Sequence, residues 1–259
     1  QPIADHNVGI DLILKALIDP VHGVINSYDE INAVGHRVAH GGEHFKGSAL
    51  VTPDSIEKVR DCIKMAPLHN PANLQGALSM AEILPNVPQV FTFDTAFHQT
   101  IPAHNYLYAI PYKYYSEEKI RKYGFHGTSH KFVAKVAADM VGLDIEKSRI
   151  VTCHIGNGAS ITAVKFGKSF NTTMGFTPAD GLCMGTRSGQ IDPCALIHIA
   201  RNENMTYDEM DAFINKKSGI QGLTGISSDM RDIDAAFDAG VQIAIEGRDL
   251  YYNRVKSYV

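Results

Sequence analysis

The four cysteines of this chain (Cys62, Cys153, Cys183 and Cys194) show no C-x-x-C spacing and fall singly in separate elements. Such scatter reads as buried free thiols in a reducing cytoplasm rather than as a disulfide framework. No apolar run approaches the ~20 residues needed to cross a bilayer, and no signal peptide opens the chain. Positive charge is not in excess: 24 Lys and Arg stand against 28 Asp and Glu, a formal net charge of −4. A basic footprint for nucleic acid and a polybasic membrane patch are therefore both lacking, and neither partner is expected. Low-complexity segments are absent as well. What remains is ordinary globular composition, 44% hydrophobic and 20% charged, in 259 residues. That length suffices for a large core and two domains.

Familiar catalytic signatures are also missing. Ile150 to Val164 places an apolar run, a Gly156-Asn157-Gly158 turn and a second alternating run in succession, which reads as a tight hairpin. It is no dinucleotide fingerprint, because Ile161 holds the third glycine's place and a strand follows, and it is no P-loop, because Gly-Lys-Ser/Thr is absent. Its glycines would still let bare N–H groups approach phosphate oxygens, although a glycine hairpin is often only a hairpin. His126 and His130 are spaced i, i+4, but Gly127 replaces the glutamate of a zinc motif and no third ligand sits nearby. One of the pair faces a ligand and the other caps or packs. No Ser-His-Asp or Cys-His constellation with a nucleophile elbow appears.

Strands and helices alternate, which gives an α/β class. Helices are expected over 8–18, from Thr52-Pro53-Asp54, from an Asn70 N-cap to about Leu84, from Ser116-Glu117-Glu118, and from the His126 region to Val141. Further helices follow Asp192, a Thr206–Glu209 capping box and Ser227-Ser228-Asp229, and the last spans Val241 to Tyr258. Strands are expected over 31–38 and 89–94, at the hairpin and within 165–173. The domain boundary is expected in the Pro- and Tyr-rich stretch 98–115, giving domains 1–97 and 98–259.

Candidate chemistry recurs as a charged residue in or beside a glycine loop. Arg37 precedes Gly41-Gly42 and Arg187 lies between Gly185 and Gly189, positions suited to bidentate contact with carboxylate or phosphate. Asp94 ends an apolar strand, where a carboxylate is costly unless it serves a ligand, a metal or a neighbouring arginine. His69 and His154 are possible structural donors, and Asn157 and Asp229 fit either ligand binding or turn and cap chemistry. Together these residues suggest transfer of an anionic group stabilised by positioning and charge.

H-R-V-A-H-G-G (36–42), L-H-N-P (68–71), F-D-T-A-F-H (93–98), Y-G-F-H-G-T-S-H (123–130), H-I-G-N-G-A-S (154–160), G-F-T-P-A-D-G-L-C-M-G-T-R-S-G (175–189) and S-S-D-M-R (227–231) resemble, in order, the motifs of acetate kinases. The resemblance implies the sugar-kinase, heat-shock ATPase and actin superfamily, with two ribonuclease-H-like domains around a nucleotide cleft. It implies reversible, Mg2+- or Mn2+-dependent in-line transfer from ATP to acetate, giving acetyl phosphate and ADP, by a cytoplasmic homodimer. Arg37 and Arg187 would hold the acyl carboxylate and the phosphoryl group in flight, and Asp94 would be the catalytic carboxylate near substrate and metal. His126 would donate to the equatorial oxygens with His69 assisting. His154, Gly156, Asn157 and Gly158 would line the ATP phosphates, and Asp229, Met230 and Arg231 would sit by the nucleoside. Leu68, Phe125 and Pro178 would wall the methyl pocket, and His130 would be structural.

Two departures follow from the resemblance. Ala39 stands where the family usually has a valine, so propionate should be accepted better than usual. The family's opening Asn-x-Gly-Ser-Ser-Ser-x-Lys turn and its closing G-I-G-E-N loop, with the metal-linked glutamate, do not appear. The 259-residue chain alone is therefore expected to have little or no kinase activity. The alternatives are a propionate kinase and a non-catalytic nucleotide-binding fragment of the same fold.

Overall fold

The computed structural model describes residues 6–67 and 69–259. It divides into two compact units, Gln1–Gln99 and Thr100–Val259.

The first unit opens with α1 (His6–Leu17), followed by β1 (Val34–Val38), β2 (Ala49–Leu50), α2 (Pro53–Asp61), α3 (Asn70–Ile83) and β3 (Gln89–Phe93). Strands β1 and β3 pair in parallel, which requires a crossover, and α2 and α3 supply it. Strand β2 runs antiparallel on the other edge of β3, giving the order β1-β3-β2. Alternation along β3 buries Phe91 and Phe93 against Val38, Val59, Leu74 and Ala77, and Phe45 stacks on Phe93 with centroids 4.1 Å apart. Thr52 and Ser55 close a capping box at α2, and Pro53 occupies its first turn. The core thus holds the carboxyl ends of β1 and β3 side by side, where α/β sheets place ligands.

The second unit begins with two single-turn helices, α4 (Ala103–Tyr106) and α5 (Lys113–Ser116), and then α6 (Gly127–Met140). Next come β4 (Arg149–Ile155), β5 (Ala159–Lys165) and β6 (Lys168–Thr172), an antiparallel meander. Ile155 pairs with Ala159, so the turn consists of Gly156, Asn157 and Gly158. Helices α7 (Pro193–Asn202), α8 (Tyr207–Lys216), α9 (Gly219–Thr224), α10 (Met230–Asp238) and α11 (Gln242–Tyr258) follow. One cluster packs Phe125, Ile161, Met174, Leu182 and Met184, and another packs Cys183, Ile220, Ile233, Ala244 and Tyr251.

Several expectations need correction. Asn70 is not the cap of α3 but its first residue, and its carboxamide is turned to the loop after β1: Oδ1 accepts from His40 N–H at 3.1 Å and Nδ2 donates to the His40 carbonyl at 2.9 Å. His69 takes the capping position without a side-chain bond. Ser116 ends a helix instead of starting one, since its hydroxyl donates to Lys113 O and Lys119 turns left-handed at φ +58°. The first strand begins at Val34, not at residue 31, and Arg37 lies within it. Only Cys62 and Cys183 are buried thiols, with burial pushing them up to about 12 and about 11. Cys153 and Cys194 are exposed. Cys153 shares the open face of β4 with Val151 and Ile155, the face that strand alternation turns away from His154. Helix α9 carried no legible start signal in the sequence.

Candidate functional site

In the first unit the polar chemistry is an ion pair at the ends of two parallel strands. Arg37 Nε donates to Asp94 Oδ1 at 3.0 Å and Nη2 donates to Oδ2 at 2.7 Å. The two partners are unequal: the Arg37 side chain is 65% exposed and that of Asp94 only 4%. The adjoining carboxylate raises the guanidinium's pKa further. Two of the five N–H donors of Arg37 are engaged with Asp94, which leaves three, enough for a second bidentate contact to an anion.

The loop beyond β1 is held by its own amides. Ala39 N–H donates to Asn73 Oδ1, His40 N–H to Asn70 Oδ1, Gly41 N–H to Thr95 Oγ1 and Gly42 N–H to His40 Nδ1. Gly41 is required sterically, because a Cβ there would meet the Phe93 ring at 2.9 Å. Ala39 is buried and His69 half-buried, whereas Leu68 lies outside the described residues.

In the second unit three elements converge on the glycine hairpin. A methyl group on Gly158 would lie 3.4 Å from Arg187 Nη1 and 3.6 Å from His126 Nε2. Arg187 is half-buried, has no carboxylate partner among the described residues, and reaches only the Pro178 carbonyl, at 3.5 Å. Burial lowers its pKa, so its charge is held at a cost that an anion would relieve. His126 takes the left-handed conformation (φ +57°) at the N-cap of α6, a helix end that favours negative charge. Its ring stacks on His154 with centroids 4.0 Å apart. Asn157 is exposed at the hairpin tip; its carboxamide lies over Gly185, whose N–H donates to Asn157 O at 3.1 Å. Any side chain at 185 would collide with that carboxamide, which explains the glycine.

Behind these groups lies a hydroxyl–imidazole network that sequence reasoning did not assign to the site. Ser160 Oγ is 2.8 Å from His126 Nδ1 and 2.7 Å from His130 Nε2. Thr152 Oγ1 is 2.8 Å from His130 Nδ1, and Ser129 Oγ is 2.9 Å from His154 Nδ1. The available signal was Ser160 and Thr162 inside an otherwise apolar strand.

The remaining candidates separate. Phe125 is a core residue and Pro178 is half-buried. Asp229 caps α10 by accepting from Arg231 N–H, and its carboxylate also pairs with the Arg231 guanidinium, which holds it down at about 2. Met230 packs on the second cluster of this unit. Among the described residues no group of three or more His, Cys, Asp or Glu could hold a metal ion, and no helix is long and apolar enough to cross a membrane.

A sequence model of the Acetokinase family matches residues 1–259. Acetate kinase 2 of Clostridium perfringens is 53% identical over 259 residues, which cover 100% of this chain and 65% of that protein. An acetate kinase of Desulfitobacterium hafniense is 51% identical over 257 residues, 99% of this chain and 64% of that protein. The crystal structure of Porphyromonas gingivalis acetate kinase superposes with a TM-score of 0.95 at 47% identity, covering 100% of this chain and 65% of that one. A Francisella tularensis propionate kinase gives 0.91 at 42% identity, covering 97% and 64%. The chain therefore spans about 65% of the length of the curated relatives it matches.

Proposed function

The chain belongs to the Acetokinase family, and from that premise we propose that it serves the reversible transfer of the γ-phosphoryl group of ATP to acetate, yielding acetyl phosphate and ADP. The observation that carries this reading is the convergence of Arg187 and His126 Nε2 on Gly158, where the half-buried Arg187 guanidinium has no carboxylate partner among the described residues. A loose phosphoryl transition state spreads charge over equatorial oxygens, and such preformed donors meet it without reorganising. Arg37 takes the acetate carboxylate with the donors Asp94 leaves it, and Asp94 in turn fixes the guanidinium's plane. His154, Gly156, Asn157 and Gly158 line the ATP phosphates, and Asp229, Met230 and Arg231 border the nucleoside. By resemblance, Ala39, Leu68 and His69 of the first unit and Phe125 and Pro178 of the second are assigned to the acyl substrate.

The donor set fits a divalent ion that arrives on the nucleotide, since Mg2+ binds through one or two carboxylates plus phosphates and no protein cage is present among the described residues. Asp94 is the carboxylate that would hold it, and its chemistry there would be neutralisation of phosphate charge. A cytoplasmic homodimer associating through the second unit completes the reading, on the strength of the resemblance.

Propionate is a second substrate favoured by one residue, Ala39, whose small side chain leaves room for a methylene worth about 1–3 kcal/mol. The test is ATP-dependent acyl-phosphate formation trapped with hydroxylamine, using formate, acetate, propionate and butyrate in parallel. It is run on the product of the full reading frame, with Arg187→Ala as control. Signal with acetate, less with propionate and none in the control supports the reading. ATP binding without product from any acid favours a non-catalytic nucleotide-binding protein.

A further inference from the structure

Helix α9 begins without a side-chain cap, and its start is made by the loop that carries Arg187. A helix leaves its first amides and its last carbonyls without partners of its own. At the α8–α9 corner both sets are met by one short stretch of chain. Ser218 N–H donates to Thr186 O at 3.1 Å, Ile220 N–H to Met184 O at 2.9 Å and Gln221 N–H to Gly185 O at 3.0 Å. At the end of α8, Ile214 O accepts from Ser188 N–H at 3.0 Å and Asn215 O accepts from Thr186 Oγ1 at 3.0 Å. Arg187 O accepts from Met184 N–H at 3.2 Å, which closes the stretch on itself. Two helix ends thus grip the residues on either side of Arg187, and its side chain takes no part in the grip.

Gly219 sits at the centre of this grip. It is left-handed at φ +66°, and a Cβ there would lie 2.3 Å from Met184 O and 2.9 Å from both the N and the O of Arg187. All three are backbone atoms, which no change of rotamer moves aside. A side chain at 219 is therefore excluded twice, by conformation and by contact, and two of the atoms it would strike belong to Arg187. We infer that Gly219 is a positioning residue whose bare Cα lets the α8–α9 corner seat the Arg187 loop, so that its effect on a bound anion passes through Arg187. The inference rests on the proposed function for the role of Arg187 toward that anion.

The experiment uses this chain, the Nε–H resonance of Arg187 (assigned by its loss in Arg187→Lys) and sulfate as the anion probe. In Gly219→Ala the resonance is expected to move and its 15N heteronuclear NOE to fall. Sulfate affinity by calorimetry should drop about tenfold or more, the size of one charge-assisted hydrogen bond. In an Arg187→Ala background Gly219→Ala should cost no further affinity, because the route to the anion is already gone. Gly247→Ala is the control for stability alone, since its methyl would meet Thr224 Cγ2 at 2.6 Å, at the far end of α9. It should lower the denaturant midpoint and leave the Arg187 resonance and sulfate affinity unmoved. Equal affinity losses from Gly219→Ala in both backgrounds, an Arg187 resonance that stays put in a folded Gly219→Ala, or one that Gly247→Ala moves as far, would overturn the inference. Should Gly219→Ala fail to fold, Thr186→Val, which removes the bond to Asn215 O, takes its place. It is expected to shift the same resonance by less, and no shift would overturn the inference. Sulfate affinity unchanged in Arg187→Ala would count against the anion role that the proposed function gives Arg187, and the resonance alone would then decide the positioning.

Discussion

A buried group that must change charge makes stability depend on pH, and His40 is such a group. It is fully buried, and burial alone pushes its pKa from 6.5 down to about 4. The unfolded chain takes up that proton near pH 6.5 while the folded one refuses it until about pH 4. The stabilisation is therefore complete above pH 6.5 and is lost as pH falls through that window, by up to about 3 kcal/mol. Urea unfolding of the native chain between pH 7 and pH 4 should show the loss. His40→Asn, which keeps an acceptor for Gly42 N–H, should show a shallower slope. Arg37 obeys a different rule, because its partner is the buried one. Arg37→Ala is expected to destabilise by about 1–3 kcal/mol, by leaving the Asp94 carboxylate unpaired in the interior. Asp94→Asn should cost less in denaturant midpoint, since the exposed guanidinium it releases turns to water.

Among the elements, the β4–β5 hairpin tests whether its glycines are there for a ligand. Gly158 has no left-handed backbone requirement and its added methyl would meet no atom closer than 3.4 Å. Gly158→Ala should therefore fold with stability within about 0.5 kcal/mol of the parent, the usual range for a substitution that breaks no contact. It should nevertheless lose at least about tenfold in sulfate affinity by calorimetry, because the methyl stands where Arg187 and His126 converge. Gly185→Ala should instead push the exposed Asn157 carboxamide off the hairpin tip, at little cost in stability. At α8 the capping box predicts that Thr206→Ala lowers stability by about 0.5–2 kcal/mol with no effect on anion binding, read from the same two measurements.

These elements also show what sequence can and cannot convey. The hairpin, the Thr206 box and the Thr52 start were legible because each is specified by residues within a turn of one another. Asn70 was misread because its partner, His40, lies 30 residues away, and a distant backbone outcompeted the local cap. The Arg37–Asp94 pair spans 57 positions, and the Ser160 link to His126 spans 34. Residue types suggested the chemistry, but only the fold brings those types together. Ser116 misled for the opposite reason: a local start signal began on the last residue of a helix already ending.

For the whole molecule, binding and turnover are separable expectations. The groups that converge on Gly158 all lie in Thr100–Val259, so the 259-residue chain is expected to bind sulfate whatever its rate of acyl-phosphate formation. Within the full-length product, Arg187→Ala should cut kcat by about 10²–10³, the usual cost of one lost transition-state donor.

The self-bonded loop after β1 has a bearing on how a substitution at position 39 is received. Its four successive amides are tied to Asn73, Asn70, Thr95 and His40, so the path of the backbone owes nothing to the side chain at position 39. A residue exchanged there alters the volume it presents while the frame around it stays put. Position 39 is thus a dial set into a fixed mount, open to one-step drift between small and branched side chains. On the proposed function, such an exchange would widen or narrow the choice of acid without a compensating change in the loop.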